Sequence, residues 1–166
     1  MTTRNWPEPE DDGDRKTLAD IKRVGWAVLL VEGEEEHPEF AYSVGLFESY
    51  GVPEVLVIGL KHAIMHSMIN DLGTRAKEGH AEPADAWVDG LLEGHQCFLT
   101  HMPTSAYREY LGYACWFYRG LAFPCLQCIW PTTLGIFPWQ AEWPIGLQKR
   151  QPILDVAFQP PSSGHH

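Results

Sequence analysis

The sequence predicts an α+β fold: one domain with a mainly antiparallel sheet and two principal helices. Three observations lead there. Apolar, β-rich segments follow one another closely between Trp26 and Leu60, a spacing that favours a meander over long crossovers. Two stretches, His62 to Lys77 and Ser105 to Arg119, read as helices, the first from an apolar stripe at helical spacing and the second from its cap and stop. The chain has 166 residues, 45% of them apolar, enough for a single core without disulfides.

Residues 1–17 carry Pro7, Pro9, Gly13 and several acids, and read as a disordered or loosely held acidic arm. The domain proper is expected over 18–158, opening with a short helix that Thr17 caps and that presents Leu18, Ile21 and Val24. Trp26 to Val31 is a continuous apolar run closed by Gly33, a buried strand. Glu32, Glu34, Glu35, Glu36 and Glu39 follow with no base among them, which suits a solvated hairpin loop. From Phe40 to Leu46 the residues alternate, with Phe40, Tyr42, Val44 and Leu46 on one face and Ala41, Ser43 and Gly45 on the other. A face so small lets a backbone or a ligand approach. Pro53-Glu54 leads into Val55–Leu60, a third strand.

The helix at 62–77 presents Ile64, Met65, Met68, Ile69 and Leu72 on one side and stops before Gly79. A loop through Pro83 and Gly90 precedes a strand at Gln96–Leu99. The helix at 105–119 has Thr104 or Ser105 as cap and Gly120 as stop. Phe123 to Trp130 reads as a late strand, and Pro131, Gly135, Pro138 and Pro144 make the rest irregular. Residues 159–166 read as an appended tail.

Twenty-two acids against twelve bases give a net charge of −10, and the bases are scattered. Nucleic acid wants a concentrated positive surface, so neither it nor an anionic membrane is an expected partner. No apolar run approaches the ~20 residues of a membrane span. The polar start lacks a signal pattern, so the expected location is cytoplasmic. The four cysteines are then expected as reduced thiols.

Several segments keep a recognisable order. They are Gly25-Trp26, Phe40 to Leu46, Pro53-Glu54 with Gly59-Leu60, Tyr110 to Ala114 and Trp116 to Gly120. The closing set is Phe123-Pro124, Gln127, Trp130-Pro131, Phe137 to Trp139 and Gln151-Pro152. From about Ile21 to Leu154 the chain resembles a bacterial family of uncharacterised domains, four-two-six-two in the series of domains of unknown function. The resemblance implies a fold family and no mechanism. It departs at Thr132, where an acid is expected after the Trp-Pro pair, and at Cys125 and Cys128.

Residues 107–143 carry eleven of the chain's twenty aromatics. Tyr and Trp bring polar tips that need partners when buried, and beside Gln127 and two Trp/Pro corners they suit a pocket wall as well as a core. The ligand-binding candidates are Tyr42, Trp116, Tyr118, Gln127, Trp130 and Trp139. Glu54, at a strand start, is the acid candidate for catalysis, set against a plain rim acid. Cys125 and Cys128 have the spacing of a redox or zinc pair, yet on a strand residues three apart face opposite ways. His62 and His66 share one helix side at a metal-compatible spacing, without the glutamate of a zinc peptidase. No metal site is expected, with His62 and His66 the alternative. There is no phosphate-cradling glycine loop and no nucleophile elbow, so the sequence names no cofactor.

Two readings follow. In one, the domain binds a small molecule, planar and neutral or cationic, in an aromatic-lined pocket, with or without a reaction. In the other it is a protein-interaction module, of accessory or immunity type, using an exposed aromatic and acidic surface.

Overall fold

The computed structural model describes residues 5–35 and 37–161. Six strands form one sheet: β1 (Ala27–Val31), β2 (Phe40–Val44), β3 (Glu54–Ile58), β4 (Ala86–Leu92), β5 (His95–His101) and β6 (Cys125–Ile129). Their order is β1-β2-β3-β6-β5-β4. Neighbours run antiparallel except β3 and β6, which are parallel with Glu54 opposite Cys125 and Leu56 opposite Gln127. The sheet is therefore mixed. The chain leaves β3, passes through a long helix and the β4–β5 hairpin, and returns beside β3 in the same direction. A return of that length permits a parallel neighbour.

Among the described residues five α-helices accompany the sheet: α1 (Asp12–Val24), α2 (Leu46–Tyr50), α3 (His62–Lys77), α4 (Tyr107–Tyr110) and α5 (Gly112–Tyr118). Helix α3 has the expected bounds, and Met65, Met68, Ile69 and Leu72 bury its stripe. The expected helix at 105–119 is instead a 3-10 turn followed by α4 and α5, broken at Leu111. Gly112 weakens helix there. The Tyr113 amide is taken by the Tyr42 hydroxyl at 2.9 Å, so α5 starts afresh against the sheet.

Helix α1 begins inside the stretch read as a loose arm. Its cap is Asp11, whose carboxylate accepts from the Asp14 amide at 2.8 Å, and not Thr17, whose hydroxyl donates back to the Gly13 carbonyl. Acids fill the first turn and Lys22 and Arg23 the last, the arrangement the helix dipole favours. Trp6 sets its ring edge-on to Phe117 at 5.0 Å. That apolar contact holds the segment before α1 against the domain, which composition alone hides. Residues 1–4 and 162–166, the outer parts of the expected arm and tail, lie outside the described residues.

Each face of the sheet has its own core. On one, Ala41, Val55, Val57, Leu99 and Cys128 meet α3 and Trp26. The small face of β2 thus admits a helix. On the other, Tyr42, Val44, Leu56 and Ile58 meet Leu18 and Ile21 of α1 and Tyr107, Leu111, Ala114 and Phe117 from α4, α5 and the turn between them. Strand β4 fell in the expected loop, because Asp89 and Gly90 interrupt its pattern where the register with β5 shifts.

Candidate functional site

Glu54 is 0% exposed and gathers the polar groups of the sheet's upper edge. Strand β2 stops at Val44, and Gly45, at φ 117°, turns the chain into α2. A left-handed φ of that kind favours glycine. The turn aims the amides of Gly45, Leu46 and Phe47 at the Glu54 carboxylate, at 3.0, 3.2 and 3.1 Å. The Ser43 hydroxyl donates at 2.6 Å and the Tyr118 hydroxyl donates from the far side. Glu54 therefore caps α2 from another element, in place of a side chain before the helix. Burial pushes its carboxyl up from the ordinary value, and the bonds from Ser43, Tyr118, Phe47 and Gly45 draw it part of the way back. Two carboxylate oxygens offer about four lone-pair directions, all taken by these donors. Burial, with Glu54 beside it, also pushes the Tyr118 phenol up.

A groove of about 420 Å³ opens on the face that carries α1 and α5. Phe40 and Tyr42 of β2 and Val31 of β1 reach it from the sheet, and Tyr110, Tyr113 and Trp116 from α4 and α5. Rings meet edge to face at Phe40–Tyr110, 5.1 Å, and at Tyr113–Trp116, 5.9 Å. Glu10, Asp11, Asp14, Glu109 and Gly112 complete the lining, in which the described residues include no Lys, Arg or His. Asp14 is buried and accepts from the Glu10 amide at 2.9 Å. Burial, a hydrogen bond to Asp14 and the charges of Asp14 and Asp11 push the Tyr113 phenol up.

The groove brings together two of the six ligand-binding candidates, Tyr42 and Trp116. Tyr118 does not line it and donates its hydroxyl to Glu54. Gln127 is buried under the C-terminal segment: its amide donates to the Pro152 carbonyl at 2.7 Å and accepts from the Leu154 amide at 3.0 Å. Trp130 donates its indole N–H to the Ile58 carbonyl at 2.7 Å, while its backbone is clamped both ways by Gln151. Trp139 stacks on Phe137 at 4.7 Å, in a separate cluster with Trp87, Phe98 and Phe158. The aromatic half of the sequence thus divides among a groove wall, a strap anchor and a second ring cluster.

Sequence reasoning missed Glu10, Asp11, Asp14, Glu109, Tyr110 and Tyr113 as lining. Asp11 ahead of a helical period, with Asp12 and Asp14 behind it, was the available signal. A wider cavity of about 630 Å³ lies between the β4–β5 hairpin and the turn at Pro131–Phe137, lined by Trp87, Asp89, Glu93 and His95 among others. None of the six candidates reaches it.

The model of the family described as Domain of unknown function (DUF4262) matches residues 20–144. The chain belongs to that family. No curated protein and no solved structure matches it. The span of the family covers the sheet, Glu54 and the aromatic side of the groove, and leaves out Glu10, Asp11, Asp14 and the strap at 150–154. Thr132, the departure from the family's expected acid, accepts from the Leu134 and Ile136 amides at 3.3 and 3.2 Å. It caps a turn, a role that Asp fills in the same way.

Cys125 packs among the α5-side residues and Cys128 among the α3-side residues, so they lie on opposite faces of β6. The hydrogen bond with Cys97, then burial, pushes the Cys128 thiol up, and burial pushes Cys125 up. His62 bonds through Nε2 to the Val31 carbonyl at 3.2 Å, whereas His66 Nδ1 meets Asn70 at 3.1 Å. Since the Asn70 carbonyl oxygen accepts from Trp26, its amide nitrogen is the donor to His66. The two imidazoles thus have separate partners. Among the described residues no three His, Cys, Asp or Glu side chains converge on a metal position.

Proposed function

We propose that this domain binds a small organic cation in the groove between α1, β2 and the α4–α5 turn. The observation that carries the reading is the lining: five aromatic residues and four carboxylates, with no base among the described residues. An ammonium over an aromatic face gains about 0.5–2 kcal/mol, and the carboxylates add attraction that salt screens. The volume lies in the range of small-molecule sites. The net charge of −10 favours the same sign of guest. Glu54, fully buried and outside the groove's lining, holds α2 and Tyr118 and does not face the guest.

The test is titration calorimetry with 2-phenylethylamine, 2-phenylethanol and phenylacetate on the wild type, Trp116→Ala and Glu109→Gln. The amine binds, the alcohol binds at least tenfold more weakly, and phenylacetate does not bind. Trp116→Ala removes binding, and Glu109→Gln weakens it with a shallower salt dependence. Equal binding of amine and alcohol, or no heat from any amine near 1 mM, ends the proposal.

A further inference from the structure

One wall of the groove makes a demand that a bare cation does not meet. Tyr42 is 2% exposed and lines the groove. Its hydroxyl accepts from the Tyr113 amide at 2.9 Å, and no acceptor among the described residues takes its proton. A buried donor without an acceptor costs free energy comparable to a lost hydrogen bond. Burial pushes the Tyr42 phenol up, so the proton is kept at any ordinary pH. The hydroxyl meets the chain at Tyr113, itself a wall of the groove beside Gly112.

We infer that the guest is an amine that also carries an uncharged hydrogen-bond acceptor, of the amino-amide class, with Tyr42 donating to its carbonyl oxygen. This rests on the cation-binding reading. The acceptor is uncharged because the lining holds four carboxylates and no base among the described residues, so a guest carboxylate there would be repelled and unpaired. Space for the acceptor exists beside Tyr113: Gly112 is exposed, lines the groove, and a Cβ built on it meets nothing within 4 Å. A side chain at 112 enters that space with no clash at its Cβ.

The experiment compares 2-phenylethylamine, phenylalanine amide and phenylalanine by calorimetry on the wild type, Tyr42→Phe and Gly112→Leu, with circular dichroism as the check on folding. In the wild type the amide binds about fivefold more tightly than the amine, the size of one hydrogen bond, and zwitterionic phenylalanine binds more weakly than the amide. In Tyr42→Phe the ratio of amide to amine falls to about one, whatever the absolute affinities. Gly112→Leu weakens the amide more than the amine. A wild-type ratio near one overturns the inference and leaves the cation reading standing, and this needs no variant to fold. A ratio that persists in Tyr42→Phe, or phenylalanine binding as tightly as its amide, overturns it too. If none of the three binds, the cation reading falls first and the inference with it.

Discussion

Replacing Glu54 by alanine tests whether a side chain remote in sequence holds α2 in place. The substitution removes the acceptor of the Gly45, Leu46 and Phe47 amides, and no other acceptor for them is seen among the described residues. The hydroxyls of Ser43 and Tyr118 lose the same acceptor but can rotate. Each buried amide left without an acceptor costs about 1 kcal/mol or more. The sum is roughly 3–5 kcal/mol, a large share of the 5–15 kcal/mol typical of a domain. For a chain of this length the midpoint of thermal unfolding drops by about 10 °C. Glu54→Gln keeps one acceptor oxygen and the side chain's shape, and loses less. Urea unfolding and amide exchange at residues 45–47 measure both effects. A Glu54→Ala protein within about 1 kcal/mol of wild type, with unchanged protection at those amides, refutes the capping argument.

The same carboxyl sets a pH dependence of defined sign. Burial raises its folded-state pKa above the ordinary value, so between the two values the folded state holds a proton that the unfolded state has released. Stability therefore falls as pH rises through that window and is flat on either side of it. Glu54→Gln removes this slope while leaving the contributions of other groups.

Other expectations follow from single contacts. Gln127→Leu removes both bonds that hold the strap at Pro152 and Leu154; it costs about 2–3 kcal/mol, and limited trypsin digestion after Arg150 becomes faster. Gly59→Ala places a Cβ 2.2 Å from the Arg150 carbonyl at a φ of 95°, so thermal unfolding should show a loss above about 3 kcal/mol or no folded protein. Asp11→Ala removes the α1 cap and costs about 1 kcal/mol by urea unfolding.

What was legible in the sequence is what local patterns determine. The apolar run after Trp26, the alternation of β2 and the stripe of α3 each lie within one segment and form the expected elements, with three departures. Strand β1 is an edge strand that leaves Leu30 exposed, β2 ends at Val44 so that Leu46 joins the opposite core, and Ile64 of α3 is exposed. Helix α2 was not legible, since its cap comes from Glu54, beyond its own C-terminus. The break before α5 was hidden for the same reason: the group that takes the Tyr113 amide is on β2. Gln127 and Trp130 looked like pocket groups because their polar ends had no visible partner nearby. Those partners are Pro152, Leu154, Gln151 and Ile58, which only the folded chain brings near. In the arm, acidic composition outweighed the capping signal at Asp11.

The bounds of the family match divide the groove by chemistry. Phe40, Tyr42, Tyr110, Tyr113, Trp116 and Glu109 fall within residues 20–144, whereas Glu10, Asp11 and Asp14 precede them. The aromatic surface is thus built within the matched span: β2 fixes Tyr42, and Tyr42 in turn starts α5 by taking the Tyr113 amide. Three of the four carboxylates come from a segment tied on by Trp6 against Phe117 and by the start of α1. A change in that segment alters the charge of the groove without disturbing the sheet, because its strand pairings and the Glu54 cap use none of those residues. On the proposed reading, affinity for ring-bearing guests would follow from residues inside the matched span, and preference for a cation mainly from the three carboxylates that precede it.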